Sequence, residues 1–175
     1  MLRELEKREL KILKKALKAM KKDKLDFALK IKENERKNVI ALNEELLNFI
    51  KENKELNYVF AGIKVGEIGK RFRLTLEGAF FICESCGKRV YVNDKGEMLF
   101  LYGRDIFSES VLYCTDDVGE NDVVLVCNSH GDVIGIGKSR FDHSRIKKVG
   151  RGRVVVENLV DRGEYLRKRK LYDAF

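Results

Sequence analysis

Val118-Gly-Glu-Asn-Asp-Val-Val-Leu-Val-Cys-Asn-Ser-His-Gly-Asp-Val-Ile-Gly-Ile-Gly137 contains two apolar segments, Val123 to Cys127 and Val133 to Gly137, joined by Asn128-Ser-His-Gly-Asp132. Apolar runs this short, closed at both ends by Gly, Asn and Asp, read as β-strands with their turns. The sequence on either side has the same texture. Arg89 to Val92 and Met98 to Tyr102 flank the turn Asn93-Asp-Lys-Gly96, Val111 to Cys114 follows, and Val154 to Val156 comes after a basic stretch. Many short strands with such turns predict a small barrel or sandwich over residues 91–172.

Residues 1–90 read differently. Leu2, Leu5, Glu9/Leu10, Leu13, Ala16/Leu17 and Met20 recur at helical spacing, with acids early and lysines late, as the helix dipole favours. That charge order accounts for the basic face of the segment without nucleic acid. Phe27 to Lys32 and Asn38 to Leu42 read as paired strands across a polar turn. Asn43 caps a helix that turns Leu46, Leu47, Phe49 and Ile50 inward. Strand-like pieces follow at Tyr58 to Val65, Arg71 to Leu76 and Ala79 to Cys83. The fold class is therefore α+β: an N-terminal α/β domain with an antiparallel sheet and flanking helices, then a β-rich domain.

The chain has 175 residues, 44% of them hydrophobic, which is ample for ordinary cores and argues against disorder. Pro, Trp and Gln are absent while Lys and Glu abound, a thermophile-like composition. No apolar run approaches the roughly 18 residues of a membrane span, and the charged N-terminus does not resemble a signal peptide. A soluble, cytoplasmic protein without a membrane partner is expected.

The formal charge is 36 − 28 = +8, and it is unevenly distributed. Ten cations lie between Met1 and Lys24. From Arg104 to Gly137 the balance reverses to acidic. Then Lys138, Arg140, Arg145, Lys147, Lys148, Arg151 and Arg153 crowd together against Asp142 alone. Clustered cations repel one another, and a polyanion relieves that repulsion. The competing reading is a solvated basic loop.

Three phrases carry a family resemblance: Phe100-Leu-Tyr-Gly103-Arg-Asp-Ile106, Val118-Gly119-Glu-Asn-Asp122-Val-Val-Leu-Val126 and Gly131-Asp-Val-Ile-Gly135-Ile-Gly137. In this order they resemble a PUA domain, an RNA-binding pseudo-barrel. Gly62, Gly66 and Gly69 ahead of Phe72-Arg73-Leu74, the segment Asn38 to Asn48, and Asp161-Arg-Gly163-Glu-Tyr165-Leu-Arg167 extend the likeness to nearly the whole chain. The chain thereby resembles the Nip-type biogenesis factors of the large ribosomal subunit, archaeal and eukaryotic two-domain proteins. That resemblance implies a non-enzymatic protein in rRNA processing. Its N-terminal domain would engage ribosome-assembly proteins or the exosome, and its PUA domain precursor ribosomal RNA, with a preference for uridine-rich sequence. The alternatives are an accessory or remnant protein of an RNA-modifying system, and a zinc or protein-interaction module.

Candidate RNA contacts are Lys147, Lys148, Arg151 and Arg153, joined by Arg145 and Arg140. Arginine forks clasp phosphate or stack on bases, while lysines act as point charges. Phe141 and Tyr165 are the nearby aromatics, and Tyr165 reads as a core residue of a terminal strand. The acidic stretch is expected to face away from RNA. Cys83-Glu-Ser-Cys86 has the spacing of half a zinc knuckle, but a closed site needs four ligands. Cys114, Cys127, His130 and His143 are its only possible complements, Cys114 and Cys127 read as buried apolar residues, and no metal is expected. Gly103-Arg104-Asp105 resembles the catalytic loop of pseudouridine synthases but sits where no catalytic domain fits. Gly66-Glu-Ile-Gly69-Lys70 lacks the upstream glycine and the following Ser/Thr of a nucleotide loop, matches the G-x-x-G of a nucleic-acid clamp over too short a stretch to carry weight, and reads as a turn between strands. No catalytic residue and no cofactor is expected.

Overall fold

The computed structural model describes residues 2–19, 27–33, 35–56, 58, 61–83 and 87–167, except the side chains of Ala19, Ile82 and Cys83. It divides into two compact units, Met1–Cys86 and Gly87–Phe175.

In the first unit, β1 (Leu2–Arg3), β2 (Ala28–Glu33), β3 (Lys37–Leu42), β4 (Ile63–Ile68) and β5 (Phe72–Leu74) form one antiparallel sheet in chain order. The central strand β3 buries Val39, Ile40, Ala41 and Leu42 in succession, the pattern of a strand covered on both faces. Helix α1 (Lys7–Ala19) inserts Leu13 and Leu17 into this core and packs on β4 and β5. Helix α2 (Glu44–Glu52) follows, and the Asn43 side chain caps it by accepting from the Leu46 N–H at 2.8 Å.

Four expectations for this unit are corrected. Leu2 and Arg3 pair with β2 as a strand instead of opening the helix. At the ambiguous pair Glu9/Leu10, Glu9 is 3% exposed and Leu10 40% exposed, so a carboxylate occupies the inward position. Helix α2 buries none of its residues, and Phe49 is half-exposed. A groove of about 520 Å³ is lined in part by Leu47 and Ile50 of that helix and by Leu2, Leu56 and Tyr58. Residues 76–83 are helix α3 (Leu76–Cys83), not a strand. Thr75 starts it: its hydroxyl accepts from the Gly78 N–H at 3.1 Å and donates to the Lys64 carbonyl at 2.7 Å.

In the second unit, β6 (Arg89–Val92) leads into helix α4 (Asp94–Leu101), and β7 (Ile106–Phe107) is followed by a 3-10 turn at Ser108–Ser110. Next come β8 (Val111–Cys114), β9 (Val123–Cys127), β10 (Val133–Ser139), α5 (His143–Ile146), β11 (Val154–Asp161) and α6 (Glu164–Arg167). The strands form one six-stranded sheet in the order β7-β11-β10-β9-β6-β8, with only β6 and β9 parallel. It curls around Val90, Phe100, Ile106, Val126, Ile134 and Val155, which form the core of the expected small barrel.

Met98 to Tyr102 was expected as a strand and is largely α4. The Asn93 side chain accepts from the Gly96 N–H at 2.9 Å, Asp94 and Glu97 complement the helix dipole, and Phe100 is fully buried. Asn93-Asp-Lys-Gly96 is thus a helix cap. Strand β11 ends at Asp161, whose buried carboxylate takes both arms of Arg167 at 2.9 and 2.8 Å. Between them Gly163 lies so close to the Leu101 carbonyl oxygen that any Cβ would overlap it.

Candidate nucleic-acid interface

The basic stretch connects β10 to β11. Its first part is fastened by Asp142, whose Oδ1 caps α5 by accepting from the Ser144 N–H at 3.0 Å and the Arg145 N–H at 3.1 Å. With the Ser144 hydroxyl also donating, the Asp142 carboxyl is held below its usual range. Ile146 is fully buried, and Phe141 and Val149 pack against the same core. The apolar residues of the segment therefore anchor it, and the charged residues between them are turned outward.

The second part is fastened to the 3-10 turn. The Ser108 hydroxyl donates to the Gly150 carbonyl at 3.1 Å, the Ser108 N–H to the Arg153 carbonyl at 3.0 Å, and the Gly152 N–H to Glu109 Oε2 at 3.0 Å. Gly152 has φ +77, a backbone conformation open to glycine. The Glu109 carboxyl is lowered chiefly by the Gly152 N–H. Residues 147–153 thus form a braced loop.

The six candidate cations separate on inspection. Lys147, Lys148, Arg151 and Arg153 are exposed, and among the described residues none forms a side-chain hydrogen bond or ion pair. Arg145 lays its guanidinium 5.4 Å from the centroid of the half-buried Phe141 ring. Arg140 forms an ion pair with Glu157 on β11, so part of its charge is already neutralised.

The acidic stretch does not uniformly face away, because Glu109 sits at the base of the loop. Its acids serve as turn acceptors: Asp105 receives the Asn158 N–H at 2.8 Å, Asp122 the Gly119 N–H at 2.7 Å, and Asp132 the Asn128 amide at 3.2 Å. Asp105, which sequence places in a catalytic-looking triplet, is occupied by that bond.

Tyr165 is not a core strand residue. It lies on α6, 45% exposed, because the Gly163 turn converts the end of β11 into helix. Sequence reading overlooked two other aromatic surfaces: Tyr102, 68% exposed at the end of α4, and the stacked pair Tyr91 and Tyr113, with centroids 4.1 Å apart. The register pairs those two tyrosines across β6 and β8, a contact legible only once strand order is known.

Cys86 and the side chain of Cys83 lie outside the described residues. Among the described residues no three His, Cys, Asp or Glu side chains converge as metal ligands. Cys127 is buried and its thiol is pushed up to about 11 by that burial, while half-buried Cys114 faces the His143 carbonyl at 4.0 Å. No helix of the described residues is long and apolar enough to cross a membrane.

Comparison with known proteins adds to this geometry. The model of the NIP7/UPF0113 pre-PUA domain matches residues 2–76, and that of the UPF0113 PUA domain residues 88–170. A UPF0113 protein of Archaeoglobus fulgidus is 46% identical over 170 residues, covering 96% of this chain and 95% of its own. The 60S ribosome subunit biogenesis protein NIP7 of Saccharomyces cerevisiae is 28% identical over 113 residues, covering 63% of this chain and 62% of its own. A conserved PUA domain protein from Thermoplasma acidophilum superposes with a TM-score of 0.65 at 15% identity, covering 95% of this chain and 97% of that one. A PUA domain from Aeropyrum pernix K1 gives 0.63 at 16% identity, covering 98% and 89%. At those identities the structural likeness concerns fold alone.

Proposed function

The chain belongs to the NIP7/UPF0113 family, with both its pre-PUA and its PUA domain, and on that basis we propose that it is a non-enzymatic RNA-binding factor of large-ribosomal-subunit assembly. Its ligand is precursor ribosomal RNA, held through phosphates by Lys147, Lys148, Arg151 and Arg153, with Arg145 and Arg140 flanking. The observation that carries this reading is the braced 147–153 loop, whose four cations are exposed and form no side-chain hydrogen bond or ion pair among the described residues. A loop whose backbone is already fixed spares the cost of ordering that backbone when its cations displace the counterions of a polyanion.

The N-terminal unit is assigned to ribosome-assembly proteins or the exosome, and the site of action to the cytoplasm. Uridine preference would come from stacking on exposed aromatics such as Tyr102, Tyr113 and Tyr165, since phosphate contacts carry no sequence information. Reversing the charge of Lys147, Lys148, Arg151 and Arg153 together is expected to weaken RNA binding by more than about 100-fold at low salt, with an unchanged melting temperature. Unaltered affinity at moderate salt in a filter-binding titration overturns the assignment.

A further inference from the structure

The first unit contains a second group of cations, outside the PUA-type barrel. A cleft of about 970 Å³ opens between the start of α1 and the turns of the sheet, and its lining includes Arg8, Arg36, Lys37, Lys70, Arg71 and Arg73. Glu6, Glu9, Glu35 and Glu67 line it too. The cleft is therefore mixed in composition, and its character depends on which charges are already paired.

Two of the acids are consumed inside the fold. Glu9 accepts both arms of Arg3 at 2.8 Å each, the Glu6 N–H at 2.9 Å and the Lys37 ammonium at 2.9 Å. Glu67 accepts from Lys64 at 2.6 Å and Arg36 at 3.0 Å. Glu6 leans on Arg3 at 4.0 Å, and Glu35 is an exposed acid of the lining. That leaves Arg8, Lys70, Arg71 and Arg73, all exposed and without a side-chain partner among the described residues. Arg8 is on the first turn of α1, Lys70 and Arg71 make the β4–β5 turn, and Arg73 is on β5, the edge strand of the sheet.

A second observation concerns Gly69, which opens that turn. Among the described glycines only Gly69 and Gly150 have neither a left-handed φ nor any atom that an added Cβ would meet. Neither residue is required to be glycine by the fold, and each adjoins free cations: Gly150 the PUA-unit loop, Gly69 the cleft. A glycine beside cations without a steric reason fits close approach of a ligand to the backbone.

We infer that this cleft in the N-terminal unit is a second RNA phosphate site, in which Arg8, Lys70, Arg71 and Arg73 hold the sugar-phosphate backbone. The inference rests on the RNA-binding reading above. Phosphate is favoured because three of the four cations are arginines, whose planar forks match phosphate oxygens. The contact is sequence-independent, since only Phe72 among the cleft residues is aromatic and it is partly buried.

The test uses the full chain and single-stranded RNA of mixed sequence, with binding measured across a salt series. Three variants are compared with the parent: R8Q/K70Q/R71Q/R73Q in the cleft, K147Q/K148Q/R151Q/R153Q in the loop, and K11Q/K14Q/K15Q/K18Q as a control of equal charge on exposed α1 positions. The cleft variant is expected to lose at least about tenfold in affinity and to flatten the log–log salt slope by about 3, since each phosphate contact on single strands contributes about 0.7. The control should do neither. Equal losses in cleft variant and control would overturn the inference, because net charge alone would then be responsible. A loss in the loop variant only would overturn it while leaving the RNA-binding reading intact. Loss of poly-glutamate binding but not RNA binding in the cleft variant would also overturn it, in favour of an acidic protein segment. A loop variant that binds like the parent would overturn the RNA reading itself.

Discussion

Glu9 shows how a single residue departs from its sequence pattern for a physical reason. A carboxylate at an inward helix position is costly unless its charge is met, and here Arg3 and Lys37 meet it from two strands while the Glu6 N–H closes a capping contact. The Arg3 bond is the main reason its carboxyl lies far below the ordinary 4.5. A folded-state value depressed in this way contributes stability above the unfolded value and loses it as pH falls, so the contribution fades from about pH 4.5 downward. Glu9→Gln keeps the shape and removes the charge. It is expected to cost about 1–2 kcal/mol at neutral pH and to flatten the acid limb of a stability profile followed by thermal melting. A parent and variant with the same acid dependence would show that Glu9 is not the titrating group.

Helix α5 is only four residues long and cannot persist through its own hydrogen bonds. Its Asp142 cap and the buried Ile146 fix it, and they thereby fix the backbone that carries Arg145, Lys147 and Lys148. Ile146→Ala is expected to cost about 2–4 kcal/mol through lost burial and the cavity left behind. Because the loop is also braced by Ser108 and Glu109, RNA affinity should fall less than in the charge-reversed loop. Comparing urea denaturation midpoints with RNA titrations of the same variant checks both parts. An RNA loss as large as that of the charge reversal would mean that placement, and not charge, dominates the contact.

For the whole chain, net charge +8 by itself predicts only attraction to polyanions. Among the described residues the structure groups four exposed cations without a side-chain partner at the loop of the second unit and four at the cleft of the first, with further exposed cations such as Lys11, Lys54 and Arg104 spread over the surface. Counting about 0.7 per phosphate contact on single-stranded RNA, the loop alone gives a log–log salt slope of about −3, and loop and cleft together about −6. A salt titration of the parent protein distinguishes these values directly. A slope near −3 with strong binding would assign the interaction to one surface.

The paired strands β2 and β3 of the first unit, the cap at Asn43, strands β8 to β11 and the exposed cluster from Lys147 to Arg153 were legible in the sequence. Each is set by residues that are close along the chain, through alternation, turn chemistry or capping. The helices at Leu76–Cys83 and Asp94–Leu101 were misread as strands, although Thr75 and Asn93 are local capping signals that the short apolar runs behind them obscured. Sequence could not tell Arg140 from Lys147, because Glu157 neutralises the former across a strand pair. It could not place Glu9 among its partners, whose positions along the chain are as far off as Lys37. Local pattern determined the elements and the basic cluster of the PUA-type unit. Only the tertiary structure decided which of the charges remain free, since ion pairing depends on which distant residues the fold brings within hydrogen-bond reach.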